Sequence, residues 1–582
     1  MTRISDEKNL EKIEQKSKKN ITIGAILGFV AVFVSIAYGI FMTPEIIRVV
    51  GITEYGLYGL SSSIINLFIL DIGLGAATST YLAKLRAKGD KEGVERFTAG
   101  IFKIYLLLNL VFILVIAALY FLAPVIFARS YGIPGQYVVT HEIQTLQYLF
   151  IIIGCFTIIS LPFSTFTGVI STYEKFSIIK LLEIIQKLMY LGLTVASVHL
   201  NWKISDSGII PIVLINVVTS VLMMVIRLIY MRFYLGIRFD FRKKITKKET
   251  KELLSFSWWG FIVAMCMRLV MTITPTILGV VSDSASVSIF SVISTIELYI
   301  YTFGTTISAF FMAKITRAEA DGTEEEKRAK MQAVVEKIAK IQFVIIVMII
   351  FGFISCGSEF LTFWLGEDIR TGQLSAESVV LMYWLVVMIS SYEVVHIPTM
   401  IFQDEMYTHG KIKHVAFVSL SKVIINIPLS FGLAYYFTNT QGTHWIGAGA
   451  FGACIAIMVA RVTEVVVANI VYRKYLHISL RHFYKSIYIR GSIGSLIALA
   501  VGLGSHFLLK PMNFGPGYKM LIIGFSFVLV YVLTTIFITF TKEERKYYID
   551  MFLTLLRIKK KPAPVVVEAQ PQEIEENKQI EE

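Results

Sequence analysis

Apolar runs of about 20 residues or more recur along the whole chain, and short polar segments separate them. A run of this length can cross the hydrocarbon core of a bilayer as an α-helix. We count about fourteen such runs, centred near Val32, Phe68, Leu110, Ile153, Met189, Val218, Val270, Tyr299, Val347, Leu385, Ile425, Met458, Ala498 and Phe527. The pattern predicts an all-α integral membrane protein with about fourteen transmembrane helices.

Composition supports the same class. The 582 residues are 55% hydrophobic and only 17% charged, whereas about 25% of the residues of soluble proteins are charged. This excludes a typical soluble enzyme, a disordered protein and a fibrous protein. A net charge of +13 would suggest nucleic acid as the partner of a soluble protein. In a membrane protein it reflects lysines and arginines that hold loops in the cytoplasm, so no nucleic-acid partner is expected.

Loop charge also predicts the orientation. When the N-terminus is placed inside, nearly all loop lysines and arginines fall on the inner face, so both termini are expected in the cytoplasm. The extramembrane segments predicted are a cytoplasmic N-terminal segment (1–20), a basic linker (238–254), an amphipathic helix on the membrane surface (542–561) and a disordered tail (562–582). The apolar face of the amphipathic helix would carry Tyr548, Met551, Phe552 and Leu555.

The two halves of the sequence resemble each other. Residues 43–50 resemble residues 274–281, and residues 81–85 correspond to 311–315. Further matches in the same order pair Pro162, Phe166, Thr172 and Lys175 with Pro398, Phe402, Thr408 and Lys411. We therefore predict two pseudo-twofold-related six-helix lobes, residues 21–237 and 255–472, and two extra C-terminal helices within 486–541. Transporters place their substrates between such repeats.

Charged residues inside the spans are the candidate site. A charge at the bilayer centre costs roughly 2.5–3.5 kcal/mol, so it faces a cavity or a partner. The cations are Lys187, Arg268, Lys422 and Arg461, and the acids are Asp71, Glu183, Glu297, Glu393 and Glu464.

The cations suggest an anionic ligand. Lys422 and Arg268 have no acidic residue within one turn of their own helices, and guanidinium suits phosphate in particular. Lys187 and Lys422 occupy similar places in the two repeats and would line opposite walls of one cavity. The alternative is structural: Glu183 with Lys187, and Arg461 with Glu464, are spaced to neutralise each other on one helix.

The acids leave two interpretations open. Asp71, Glu297 and Glu393, with His396 beside the last, could bind a coupling Na⁺ or proton, or they could form hydrogen bonds between helices. The repeat-related prolines Pro44, Pro162, Pro275 and Pro398 are expected to kink or end helices, with a second role as hinges.

Signals for catalysis are poor. The sequence has no phosphate-binding P-loop, no credible dinucleotide fingerprint, no nucleophile elbow and no clustered metal ligands. We expect no enzyme activity, no catalytic residues, no metal and no cofactor beyond a coupled Na⁺ or H⁺.

Residues 51–60 (GITEYGLYGL), 71–75 (DIGLG) and 81–83 (YLA) resemble the first loop and second span of Wzx-type polysaccharide transporters. These belong to the multidrug/oligosaccharidyl-lipid/polysaccharide (MOP, MATE-like) exporter superfamily. The resemblance implies a flippase that exports a polyprenyl-pyrophosphate-linked oligosaccharide to the outer leaflet of the bacterial inner membrane. Its implied partners are that glycan lipid, membrane lipids and other polysaccharide biosynthesis proteins, and a monomer is expected.

Other functions are also compatible with the sequence. The two extra spans resemble the fourteen-helix lipid II flippase branch, so the glycan could be an O-antigen, capsule, teichoic acid or peptidoglycan precursor. A proton- or sodium-coupled multidrug antiporter of the same superfamily would need an acidic, aromatic cavity for organic cations. A membrane-embedded glycosyltransferase would need a sizeable outer loop, and the intramembrane charges speak against a non-transporting scaffold.

Overall fold

The computed structural model describes residues 27–28, 30–68, 81–82, 85–86, 88–133, 136–242, 246–318, 324–366, 374–440, 446–476, 480–542 and 544–546. These residues are almost entirely helical, and an isolated bridge joins Ile204 to Ser207. Twelve helices are long and apolar enough to cross a membrane, or thirteen when one bent pair is counted. The prediction of an all-α, multi-pass membrane protein is confirmed.

The helices of the N-terminal half are α1 (Val30–Val50), α2 (Ile52–Phe68), α3 (Lys91–Ile126), α4 (His141–Thr172), α5 (Phe176–His199) and α6 (Ile209–Phe233). Those of the C-terminal half are α7 (Lys247–Val281), α8 (Ser284–Ala318), α9 (Glu324–Trp364), α10 (Ala376–Ser391), α11 (Glu393–Thr408), α12 (Ile412–Asn439) and α13 (Ala448–Leu476). Two more follow, α14 (Leu480–Leu509) and α15 (Pro516–Thr539).

Every predicted span centre lies in one of these helices. The second span begins in α2, and its continuation lies outside the described residues. Helix α7 starts at Lys247, inside the segment predicted as a linker, so the basic stretch is partly helical. The predicted N-terminal segment and tail lie outside the described residues, as does the predicted amphipathic helix apart from residues 542 and 544–546.

The four predicted prolines all lie inside helices, and three of the carbonyls they leave unpaired accept hydrogen bonds from other helices. Proline has no N–H, so the carbonyl four residues earlier loses its helical hydrogen bond. For Pro162 that carbonyl belongs to Ile158, and Asn109 Nδ2 of α3 donates to it at 2.6 Å. For Pro398 the carbonyl of Val394 accepts from a tyrosine hydroxyl of α14 at 3.2 Å. Neighbouring helices thus stabilise the irregular backbone within the membrane.

The prolines of the first helix in each half behave similarly. Pro44 frees the carbonyl of Ile40, which accepts a hydrogen bond from the indole N–H of Trp364 in α9. Near Pro275, α7 bends by 47° between Trp259–Val270 and Thr272–Val281. The predicted kink at Pro275 is therefore present, four residues before the proline ring.

One turn occurs in both halves at corresponding places. Helices α5 and α12 each follow a residue with positive φ, Glu174 at 58° and Gly410 at 68°. The left-handed conformation suits glycine and is uncommon for glutamate. Each helix then carries its lysine at a similar depth, Lys187 in α5 and Lys422 in α12.

Successive spans run in alternating directions, so helix ends fall on two faces. We call the basic face the one that carries Lys91, Arg232, Lys411, Lys474 and Lys485. The other is the opposite face, where α1 and α3 end and where α2 and α4 begin. The extra helices α14 and α15 pack on each other and on α9, so they extend the C-terminal half.

The described contacts between the two halves lie towards the opposite face. Helix α2 packs against α7 and α8. The hydroxyls of Tyr55 and Thr295 are 3.2 Å apart, and a Cβ atom added at Gly56 would lie 3.2 Å from Cβ of Ser288. The hydroxyl of Ser130 donates to carbonyl groups at the end of α7. Tyr55, Gly56 and Ser288 lie close to the starts of α2 and α8 at the opposite face, and Thr295 lies about two turns further along α8.

Candidate functional site

Five of the predicted intramembrane charges lie together in the C-terminal half. With two aromatic neighbours they form what we call the charged cluster, namely Glu297, Tyr392, Glu393, His396, Lys422, Arg461 and Glu464. They come from α8, from α11 and the residue before it, and from α12 and α13. The break between α10 and α11 falls at Tyr392, which places this side chain at the centre of the cluster.

Arg461 connects α13 to its neighbours. Its guanidinium forms an ion pair with Glu297 of α8, and Nη1 donates to the carbonyl of Ile389 at 2.6 Å. Its Cζ atom lies 5.0 Å from the centroid of the Tyr392 ring. The planar fork of donors lets one guanidinium make all these contacts. The pair with Glu464 predicted from spacing on α13 does not form, because Glu297 on another helix takes its place.

Lys422 has a buried partner from another helix. Its Nζ lies 2.6 Å from Oε2 of Glu464, and the same oxygen accepts a hydrogen bond from the Tyr392 hydroxyl. The ammonium lies 6.0 Å from the centroid of the Tyr392 ring. Lys422 has no acid within one turn of its own helix, and α13 supplies its carboxylate partner. In this conformation its charge is neutralised within the protein.

Glu393 and His396 form a contact pair within the cluster. Glu393 is only 2% exposed, and its Oε2 lies 3.0 Å from Nδ1 of His396. The His396 ring stacks on Tyr392 at 4.7 Å and lies 6.2 Å from the ring of Tyr301. The pair therefore places an imidazole and a buried carboxylate side by side at the centre of the cluster.

The cluster has one carboxylate in excess. Three glutamates face one lysine and one arginine, so the formal charge is −1 when His396 is neutral. A net charge in the apolar interior is costly, so a single proton or monovalent cation would bring the cluster to neutrality. Among the described residues, no three His, Cys, Asp or Glu side chains are grouped to hold a metal ion.

Lys187 lies apart, in the N-terminal half. Its ammonium is 5.8 Å from the centroid of the Tyr38 ring, and that ring is 5.1 Å from the ring of Tyr190. Glu183, the partner predicted for it, instead binds Lys180 at 2.9 Å. Within the described part of the chain, no carboxylate lies within ion-pair distance of Lys187. A role for Lys187 in binding an anionic ligand stays a prediction.

Arg268 and Asp71 are the remaining predicted residues. Arg268 is half-buried in α7, and its carbonyl accepts from the Thr272 hydroxyl at 2.8 Å. Helix α7 packs against α2 and α12. A role for Arg268 in substrate binding stays a prediction. Asp71 lies outside the described residues.

Sequence reasoning missed two polar groups. Tyr392 organises the charged cluster, yet only its position directly before Glu393 marks it in the sequence. Asp404 is a half-buried carboxylate of α11. It lies near the end of an apolar run, so the sequence alone does not distinguish it from a residue of the following loop.

The comparisons with known proteins come from sequence and from structure. Residues 21–311 match the family model of polysaccharide biosynthesis proteins. No curated protein matches the chain by sequence.

Solved structures resemble nearly the whole chain. A lipid II flippase MurJ in an inward closed conformation has a TM-score of 0.65 and 14% identity, covering 91% of this chain and 100% of its own. An inward-facing multidrug resistance MATE family transporter of the MOP superfamily has a TM-score of 0.55 and 14% identity, covering 76% and 96%. A MOP superfamily transporter from Pyrococcus furiosus has a TM-score of 0.52 and 16% identity, covering 80% and 97%. At these identities the similarity shows a shared fold.

Proposed function

The chain belongs to the family of polysaccharide biosynthesis proteins, and from that premise we propose that it is a flippase. It moves a polyprenyl-pyrophosphate-linked oligosaccharide from the leaflet at the basic face to the leaflet at the opposite face. The basic face and both termini lie in the cytoplasm, the membrane is the bacterial inner membrane, and the product serves the synthesis of surface polysaccharide.

One observation carries the substrate assignment, which is the environment of Lys187. A half-buried ammonium without a carboxylate partner among the described residues suits a pyrophosphate. The rings of Tyr38 and Tyr190 beside it offer flat apolar surfaces with hydroxyl groups, which suit the faces and hydroxyls of sugars. The glycan needs such polar surface because its hydroxyl groups would be unpaired in hydrocarbon. The polyprenyl chain can stay in the bilayer.

Alternating access supplies the route. The halves contact each other towards the opposite face through Tyr55, Gly56, Thr295 and Ser288. This favours a state that takes up substrate from the basic face, and these contacts must part to release it. A membrane potential negative on the basic side favours outward movement of an anion by about 2.3 kcal/mol per charge and 100 mV.

The charged cluster supports coupling to a proton or Na⁺. Its excess carboxylate attracts one cation, and Tyr392 and His396 sit at the break between α10 and α11, where a change of charge can alter how the two helices meet. In this scheme the N-terminal half contacts the pyrophosphate and the C-terminal half binds the ion.

The test is leaflet exchange in liposomes. The purified protein is reconstituted with a fluorescent polyprenyl-pyrophosphate oligosaccharide, and exchange is followed by quenching of the accessible leaflet. We expect Lys187→Gln to slow exchange at least tenfold. The matched control is Lys180→Gln on the same helix, whose lysine is already paired with Glu183, and it should keep near wild-type exchange. Equal rates for both variants would remove Lys187 from the site.

The excess carboxylate of the charged cluster also favours a second candidate function. An acidic site in a MATE-like fold suits a cation-coupled antiporter of organic cations. Efflux of organic cations driven by a proton or Na⁺ gradient, without exchange of the glycan lipid, would assign the chain to that class.

A further inference from the structure

A second polar site lies at the basic face. A cavity of about 740 Å³ opens between the start of α14, the end of α15 and the adjoining part of α9. Its charged lining consists of Glu336, Lys337, Lys340, Lys485, Arg490 and Glu544. It is built on the two helices that extend the bundle beyond the repeats, so it is independent of the site proposed for the glycan lipid.

Two π-helical turns shape this cavity. One is Lys485–Ile489 at the start of α14, and the other is Thr535–Thr539 at the end of α15. In an α-helix, side chains five residues apart point about 140° away from each other. In a π-turn the hydrogen bonds run from i to i+5, so such residues come round to the same side. The turn therefore directs both Lys485 and Arg490 to the cavity, and π-turns are frequent at functional sites.

The acids of the cavity have neighbouring basic side chains. Lys340 is 7% exposed, and its Nζ lies 2.7 Å from Oε2 of Glu544. Glu336 lies 3.6 Å from the Nε2 atom of His482. Burial raises the pKa of Glu544, but the hydrogen bond from Lys340 and the backbone N–H of Thr541 outweigh it and lower the pKa below its ordinary value. The carboxylate stays ionised, and it neutralises Lys340.

The remaining positive charge sits at an apolar margin. Lys485 and Arg490 are exposed at the mouth of the cavity, and Ile489 between them is 54% exposed. Phe537 and Ile538 of α15 are also exposed. In a membrane these apolar side chains face acyl chains, while the two cations lie at the level of the headgroups.

We propose that this cavity binds the phosphate-bearing headgroup of an anionic phospholipid from the leaflet at the basic face, with the acyl chains lying along α14 and α15. A basic pocket between membrane helices has the chemistry that phospholipid phosphates need. The paired acids fix the shape of the pocket, and Lys485 and Arg490 supply the two charges that contact the phosphate. The lipid would hold the extra helices against α9.

The experiment places a reporter inside the cavity. Ile489→Trp is introduced into the full chain, which is reconstituted in phosphatidylcholine vesicles with increasing amounts of brominated phosphatidylglycerol or brominated phosphatidylcholine. Bromine quenches the tryptophan only on contact, and the Ile489 parent provides the background. We expect phosphatidylglycerol to bind the reporter site several-fold more tightly than phosphatidylcholine. Lys485→Gln with Arg490→Gln should remove this preference, at about fivefold for each cation.

The matched control is Lys510→Gln with Lys519→Gln, which removes two cations from the other ends of the same two helices. It should leave the preference unchanged, and thermal unfolding in detergent checks that all variants fold. Equal quenching of the Ile489→Trp reporter by both lipids, with Lys485 and Arg490 in place, would overturn the proposal. So would an equal loss in both charge variants, which indicates general attraction. Abolition of the preference by inorganic phosphate at constant ionic strength would show a site for free phosphate instead.

Discussion

The substitution Glu464→Gln tests the charged cluster most sharply. It removes the carboxylate that pairs with Lys422 in the described part of the chain, and the two side chains are each 11% exposed. Lys422 then remains as a charge in the apolar interior, with a tyrosine ring as its neighbour. Breaking one partner of a buried pair destabilises by about 3–5 kcal/mol. The glutamine can still accept the Tyr392 hydrogen bond, so the loss comes from an ammonium that no longer has a carboxylate at ion-pair distance, although the formal charge of the cluster changes from −1 to zero.

A second substitution checks this cause. Adding Lys422→Met to Glu464→Gln removes the stranded charge at similar volume, so the double variant should be more stable than Glu464→Gln alone. The control is Glu183→Gln, whose pair with Lys180 is 36–37% exposed and should contribute less than about 1 kcal/mol. Unfolding free energies in detergent micelles give all three values. Equal small losses of unfolding free energy for Glu464→Gln and Glu183→Gln would refute the reasoning. A double variant that is no more stable than Glu464→Gln alone would also refute it.

Three further predictions follow from other contacts. Asn109→Leu orphans the carbonyl freed by Pro162 and should cost about 1–3 kcal/mol; adding Pro162→Ala should recover most of it, and a full loss in both backgrounds would contradict this account. Gly56→Cys with Ser288→Cys should form a disulfide that stops lipid exchange until a reductant is added; unaffected exchange in the oxidised protein would show that this contact need not open. Because its pKa is lowered in the folded state, Glu544 should stabilise the protein above pH 4.5, and this contribution should be lost as the pH falls through the lowered pKa; Glu544→Gln should flatten the acid side of a thermal unfolding profile, and an unchanged profile would argue against the pairing.

Much of the fold is predictable because one physical rule governs it. A bilayer requires each span to satisfy its backbone internally and to be apolar over about 20 residues, so the runs centred from Val32 to Phe527 all correspond to helices. The effect of each proline is also predictable from the sequence, since the missing N–H leaves the carbonyl four residues earlier without its helical hydrogen bond. Their donors, such as Asn109, come from other helices and leave no local trace.

The site was only partly predictable because pairing is a tertiary property. Arg461 and Glu464 are spaced as partners on one helix, yet each finds its partner on a different neighbour. Lys422 looks unpaired because α13 supplies its carboxylate from far along the chain. The free-energy cost of a charge in the membrane marks the five charged residues that lie together in the cluster. Their partners depend on helix packing, which a single sequence does not specify.

The direct test of the flippase assignment compares two substrates in one preparation. Proteoliposomes of the wild-type chain are assayed for leaflet exchange of a fluorescent polyprenyl-pyrophosphate oligosaccharide and for efflux of an organic cation under a proton or Na⁺ gradient. We expect protein-dependent exchange of the glycan lipid and no efflux of the organic cation. The exchange should be faster when the membrane potential drives the anion towards the opposite face. Efflux of the cation with no exchange of the glycan lipid would contradict the flippase assignment.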